Sequence, residues 1–313
     1  MATVSMQQVK ELRDRTQAGL NDCKAALGEA EGDIEKAVEI ILKKGLAKSA
    51  KRAGAVATEG EVLTKVAADA LSGVITEVNI QTDFAARNDE FRAFARAVTD
   101  VALTADSGAD LGKLAYPGGS GTVEETRAAL VGKLGENITV RRWQRVAVSS
   151  PGLVHSYIHM GGKIGALLGV NVGDAAALKR PEFAKFVDDV AMQIAAMAPL
   201  YVDGTDVPAS DRAKQAEIFD AQLKDEGKPE AARPKIIEGK LNKWFTEVCV
   251  LRQISVMEAD KSIDQVRKEL EKTLGTTVVL TGFARFERGE GVAVEEKPDF
   301  ADEARKMAGI SAN

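Results

Sequence analysis

The sequence is poor in the residues on which most site chemistry depends. Among its 313 residues are two cysteines and two histidines. Cys23 and Cys249 stand far apart, with no second thiol at metal or redox spacing near either, which argues against a zinc knot or dithiol centre and fits a reducing compartment. His155 and His159 share one strand face by parity, yet no cysteine or third ligand stands at useful spacing, so no metal site is expected. His159, beside a glycine turn, reads as an exposed contact or a structural hydrogen bonder. Positive charge is not in excess: 42 basic and 47 acidic residues leave a net charge of −5, so nucleic acid is not an expected partner. No apolar run approaches a membrane span and the first residues lack a basic, apolar, small-residue leader, so the expected setting is cytoplasmic, with no membrane partner. A phosphate loop is missing as well. Gly162 Lys163 would need a glycine at Tyr157 and a hydroxyl at Ile164, and no strand leads into the cluster at Gly118 and Gly119.

What is present is an ordinary globular composition, 45% hydrophobic and 28% charged, enough to bury a core. Its organising stretch is the corner from Gln81 to Asp89. Before it, Val74, Thr76, Val78 and Ile80 alternate with Ile75, Glu77 and Asn79, as in a half-buried strand. After it, Phe91, Phe94, Ala95, Val98, Val101 and Ala102 recur at helical spacing. The same layout returns 92 positions later without a gap: Val62, Gly73, Val78, Asn79, Glu90, Phe91, Phe94 and Val98 match Val154, Gly165, Val170, Asn171, Glu182, Phe183, Phe186 and Val190. The corner itself is not repeated. Thr82, Asp83 and Phe84 face Asp174, Ala175 and Ala176, so the architecture does not require the carboxylate and the ring, which favours a functional reading. The structural alternatives are that Thr82 or Asp83 only caps a turn and that Phe84 only fills a gap in the core.

The pattern predicts an α+β chain. Residues 1–54 form a three-helix bundle: Ser5 and Gln8 make a capping box, Asn21 or Asp22 opens the second helix, and Asp33 caps a third that Gly45 ends. The basic run from Lys43 to Arg52 then reads as a linker. Residues 55–150 are the first core subdomain, with a hairpin turning at Ala68 and Asp69, a capping box at Thr122 and Glu125, and a strand from Ile138 to Val148. The second subdomain covers 151–203, with a hairpin turning at Met160, Gly161 and Gly162, and resumes over 244–288. There Val248 to Leu251 reads as a strand, Ser262 and Gln265 as a capping box, and Thr277 to Glu287 as the last strand. Between them, residues 204–243 form a projecting helical hairpin capped by Ser210 and turning at Gly227, Lys228 and Pro229. Residues 289–313 are a C-terminal module with a short helix around Phe300 to Met307, suited to docking on another protein.

Taken together, the run Val9 to Arg13 continuing through Asp22 to Leu27, the corner Thr82 Asp83 Phe84, the turn His159 to Gly165 and the segment Gly282 to Glu287 resemble bacterial translation elongation factor Ts along the whole chain. Ala85 departs from the valine usual in that family. The resemblance implies a guanine-nucleotide exchange factor for elongation factor Tu, not an enzyme, without cofactor, metal or nucleotide of its own. It implies a UBA-like N-terminal bundle that docks on the partner through Val9, Leu12, Arg13, Asp22 and Cys23, with His159, Met160, Gly161 and Gly162 as a further contact. It implies that Thr82, Asp83, Phe84 and Ala85 displace magnesium from the partner's GDP site. The helical hairpin would contribute to a homodimer and the terminal helix would add a contact. Two other classes remain open: a protein-binding scaffold using the UBA-like bundle alone, and an enzyme using His159 and Asp83.

Overall fold

The computed structural model describes residues 4–16, 18–119 and 121–293. The C-terminal helix expected around Phe300 lies outside these residues. Three helices open the chain: α1 (Met6–Thr16), α2 (Leu20–Glu29) and α3 (Ile34–Arg52). Ser5 and Gln8 exchange the expected cap bonds at 3.2 and 3.0 Å, and Asp33 accepts from the Lys36 N–H. The second helix starts earlier than Asn21, after Gly19 and without a side-chain cap.

The third helix does not stop at Gly45. It runs on to Arg52, so the basic run is helical rather than a linker. The reason is a helix crossing: a Cβ at position 45 would lie 3.4 Å from the Ala128 backbone of α6 (Val123–Leu134). The glycine lets α3 approach that helix and fastens the bundle to the core.

Two antiparallel three-stranded sheets form the centre. The first holds β1 (Glu59–Val66), β2 (Ser72–Ile80) and β3 (Ile138–Ala147) in that order; the second holds β4 (Gly152–His159), β5 (Ile164–Val172) and β6 (Val278–Glu287). Val62, Ile75, Val146, Val154, Leu167, Ala284 and Phe286 pack between the sheets. The outer face of the first sheet carries α5 (Asp89–Thr104), whose Phe91 and Phe94 are buried, and the second carries α7 (Pro181–Met197) with Phe183 and Phe186. Fully burying each such ring contributes about 1.5–3 kcal/mol. Because each middle strand lies between a helix and the opposite sheet, β2 is buried on both faces rather than one.

The two copies meet through reciprocal contacts. The Val62 N–H donates to the Gly162 carbonyl at 2.8 Å, and the matching Val154 N–H donates to the Ala70 carbonyl at 2.7 Å. A Cβ on Gly165 would lie 2.7 Å from Val62 Cγ1, and one on the matching Gly73 would lie 3.0 Å from Val154 Cγ1. Each copy thus supplies the valine that fills the space left by the other's glycine, as at an isologous interface.

The likeness continues beyond the hairpin and helix. Helix α6 and strand β3 recur as α10 (Ile263–Leu274) and β6, each pair equal in length, now 140 positions apart. Both helices open on capping boxes, at Thr122 and Ser262, and close on left-handed Gly135 and Gly275. Arg127 and Arg267 each donate to the first carbonyl of the following strand, Ile138 at 2.6 Å and Val278 at 2.9 Å. The growth in offset marks an insertion, most of it α8 (Ala209–Asp225) and α9 (Arg233–Val248). These pack on one another, with Leu223 buried between them and Phe245 at the base beside Val207 and Cys249.

Three expectations fail in this insertion. Helix α8 starts after Pro208 with no side-chain cap, so Ser210 lies inside it. A boundary at 243/244 falls within α9. Val248 to Leu251 is not a strand: α9 ends there and a 3-10 turn follows, and Cys249 makes only an isolated parallel bridge to Tyr201. Val250 and Leu251 instead donate to the carbonyls of Tyr201 and Val202.

Candidate functional site

The corner forms a single turn of helix, α4 (Asp83–Ala86), between the end of β2 and the start of α5. Its N-cap is Thr82, whose hydroxyl accepts from the Ala85 N–H at 3.2 Å. Asn88 then caps α5 by accepting from Glu90 and Phe91. Two caps six positions apart leave the chain little choice of path. Ala85 and Ala86 turn inward against the first core, whereas Phe84 is 80% exposed. The proposal that Phe84 fills a core gap is thereby excluded. Asp83 turns back onto Arg87 at 2.8 Å.

The corner has a neighbour from the other copy. An open polar cleft of about 430 Å³ is lined by Asp83, Ala86 and Arg87 on one side, Gly161 on another, and Glu59, Glu61, Arg92 and Arg288 below. The Gly162 carbonyl bond to Val62 brings the turn there. Met160, Gly161 and Gly162 follow one another at φ of 48°, 62° and 92°, and Met160 holds this left-handed conformation with 67% of its surface exposed. A non-glycine residue kept in such a conformation stores strain, which is concentrated at functional turns. Within the cleft, burial pushes the Glu61 carboxyl up, partly offset by Arg92 at 3.2 Å.

The remaining residues fall into two groups. Arg13, Asp22, His159, Met160 and Gly161 are exposed; Asp22 lies 3.6 Å from Lys48, and His159 Nδ1 lies 3.1 Å from the Tyr157 hydroxyl. Gly162 is buried beneath Met160 and Gly161. Val9, Leu12 and Cys23 are corrected: all three side chains are buried among Ala26, Leu27, Ala37 and Ile41, so they hold the bundle together and offer no surface. Their apolar spacing on α1 and α2 is the signature of a core stripe. Burial also pushes both thiols up, Cys249 to about 11, so neither is a nucleophile at neutral pH. Asp83 and His159 are each engaged elsewhere, with Arg87 and Tyr157, which leaves the enzymatic alternative without a paired acid and base.

Sequence reasoning missed the loop beneath the corner. Glu136 accepts from the Thr82 N–H at 3.0 Å and from its hydroxyl at 2.7 Å, while the Asn137 N–H donates to Gln81 Oε1 at 2.7 Å. The signal was available: Gly135 Glu136 Asn137 in the first copy faces Gly275 Thr276 Thr277 in the second. Among the described residues, no group of three or more His, Cys, Asp or Glu side chains could hold a metal ion, and no helix is long and apolar enough to cross a membrane.

Comparison with known proteins places these features in a family. Residues 81–290 match the family described as Elongation factor TS. Elongation factor Ts of Clostridium perfringens is 44% identical over 307 residues, 98% of this chain and 99% of the relative. The proteins of that name in Clostridium botulinum and Clostridium acetobutylicum are each 42% identical, over 308 and 306 residues; these cover 98% and 97% of this chain, and 99% and 98% of the relatives.

Proposed function

The chain belongs to the elongation factor Ts family, exchange factors for the GTPase elongation factor Tu, and on that premise we propose that its exposed Phe84 corner is the element that expels GDP. No bond is made or broken in this process. Magnesium keeps a strict octahedral shell and is held in such sites largely by waters and nucleotide phosphates. A ring pushed in beside it can therefore break the shell with a small movement of the partner's backbone. Loss of the ion weakens GDP binding. By linkage, bound GDP weakens the exchange factor to the same extent.

The observation that carries this reading is an 80% exposed phenylalanine on a turn held between the N-caps Thr82 and Asn88, where the matching turn of the second copy has only Ala175 and Ala176. Burying that ring in the partner is worth about 1.5–3 kcal/mol, or roughly ten- to a hundredfold in rate. Any larger acceleration needs further contacts. Met160 and Gly161 across the cleft are assigned to one, carried by His159 and Gly162, and Arg13 and Asp22 of the UBA-like docking bundle to another. The α8–α9 pair, with Ile218 exposed, serves self-association.

The test is release of a fluorescent GDP analogue from loaded elongation factor Tu on adding the purified chain with excess unlabelled GDP. Accelerated release supports the reading. Complex formation without acceleration makes the chain a scaffold and overturns it. Sedimentation of the chain alone checks the arm.

A further inference from the structure

A ring that is mostly in solvent cannot aim itself. Phe84 stands on a single helical turn of four residues, and one turn is unstable in isolation because nucleation fixes several dihedrals for one hydrogen bond. Its direction must be set from outside the turn. Thr82 is the residue through which that can happen, since it lies two positions past the end of β2 and is the N-cap of α4.

Two groups of Thr82 are spoken for by one side chain. The Glu136 carboxylate takes the backbone N–H on one oxygen and the hydroxyl on the other, which orients the hydroxyl so that its lone pair faces the Ala85 N–H at 3.2 Å. Charge-assisted, two-point bonds of this kind fix angle as well as distance. Glu136 is itself held in place: left-handed Gly135 ends α6 on one side, and on the other buried Asn137 donates its N–H to Gln81 and its amide to the Ala55 carbonyl at 2.8 Å.

The second copy shows what the same junction looks like without an armed corner. There Gly173 donates its N–H to the Thr277 carbonyl at 3.1 Å, Asp174 caps its own turn, and Thr276 stands where the carboxylate would be. Backbone pairing is enough to close the joint. The carboxylate is an addition confined to the copy that carries the ring.

We propose that Glu136 is the positioning residue of the exchange corner, fixing Thr82 so that Phe84 enters the partner at the productive angle. The inference rests on the wedge reading of Phe84. It predicts that loss of Glu136 lowers the rate at which bound complexes release GDP, and leaves encounter with the partner largely alone.

The experiment compares full-length wild type, Glu136→Ala, Glu136→Gln, Phe84→Ala and the double variant Phe84→Ala with Glu136→Ala. GDP release from elongation factor Tu is followed as a function of exchange-factor concentration. For Glu136→Ala the maximal rate is expected to fall about tenfold, the scale of losing bonds to a charged acceptor, with the half-saturating concentration changed by less than about twofold. Glu136→Gln keeps an acceptor for the Thr82 N–H and is expected to recover at least about a third of the wild-type rate. In the Phe84→Ala background, Glu136→Ala should slow release by less than about twofold, because nothing is left to aim. Equal slowing in both backgrounds overturns the proposal, since Glu136 would then act on its own. An unchanged maximal rate in Glu136→Ala, with Phe84→Ala slow, overturns the assignment of Glu136 and leaves the wedge standing. An unchanged rate in Phe84→Ala removes the wedge and this inference with it. Melting temperatures within about 3 °C of wild type confirm that the fold is intact, and if the alanine variant does not fold, Glu136→Thr, which installs the residue that the second copy has at Thr276, takes its place with the same expected outcomes.

Discussion

The two copies of the hairpin-and-helix unit share their cores and differ at their edges. Phe91 and Phe94 have counterparts in Phe183 and Phe186, and Gly73 and Val62 in Gly165 and Val154, all buried. Where the copies diverge, the first carries side chains that the shared packing does not need: Phe84 against Ala176, Glu136 against Thr276, and Glu77 against Gly169. A duplicated frame thus separates what holds a corner up from what the corner is for.

Glu77 gives the largest expected effect. Its fully buried carboxylate accepts from Arg141 at 2.9 Å, Arg142 at 2.6 Å, Asn79 at 3.1 Å and the Gly289 N–H at 2.7 Å. The first sheet is thereby tied to the chain leaving β6. Glu77→Ala takes the shared acceptor from two partly exposed guanidinium groups, which keep bonds to Glu287 and Glu290, and from the Asn79 amide and the Gly289 N–H; it is expected to destabilise the fold by about 3 kcal/mol, read as a lowered denaturant midpoint. Gly169→Ala, at the matching place, acts by a different route. Its Cβ would lie 2.7 Å from Thr281 Oγ1 and 2.9 Å from Val148 Cγ1, so overpacking of about 1–3 kcal/mol is expected.

The contact between the copies is tested by their reciprocal glycines. A Cβ on Gly165 meets Val62 at 2.7 Å and Ile75 at 3.2 Å, whereas one on Gly73 meets Val154 at 3.0 Å and Leu167 at 3.4 Å. Gly165→Ala should therefore lower the melting temperature more than Gly73→Ala, both within the range of about 1–3 kcal/mol for overpacking. The opposite order would break the account of how the copies fit.

Acid stability sharpens the contrast at Glu77. Burial alone would push this carboxyl up, but the Gly289 N–H, Arg141, Arg142 and Asn79 outweigh it and hold it below its ordinary value of 4.5. The stabilisation is complete above that value and is lost as pH falls through the lower folded one. Urea midpoints of wild type should drop below pH 4.5, and in Glu77→Gln they should drop less steeply. Equal slopes would show that other carboxylates control acid unfolding.

Much of this was legible in the chain. The gapless repeat, three of the capping boxes and the inward-facing stripes of α5 and α7 all follow from local spacing, which is set by the helix and strand periods themselves. Exposure of Phe84 followed from the absence of its counterpart. What stayed hidden depends on contacts between distant segments. The alternation through β2 placed Glu77 and Asn79 toward solvent, because a period of two cannot reveal a second sheet or the arginines of β3. Gly45 has the same spelling as a helix stop and as a helix crossing, and only the approach of α6 decides between them. Val9, Leu12 and Cys23 fall within a motif shared with the family, yet a shared motif also contains the residues that hold the bundle together.

If the first corner acts through the partner's magnesium, removing the ion should erase what Phe84 adds. GDP release by wild type and Phe84→Ala, measured at saturating exchange factor across a magnesium titration that ends in chelator, decides this. A gap of roughly ten- to a hundredfold is expected with magnesium present, closing to about twofold or less once the ion is removed. A gap that keeps its full size in chelator would contradict action through magnesium.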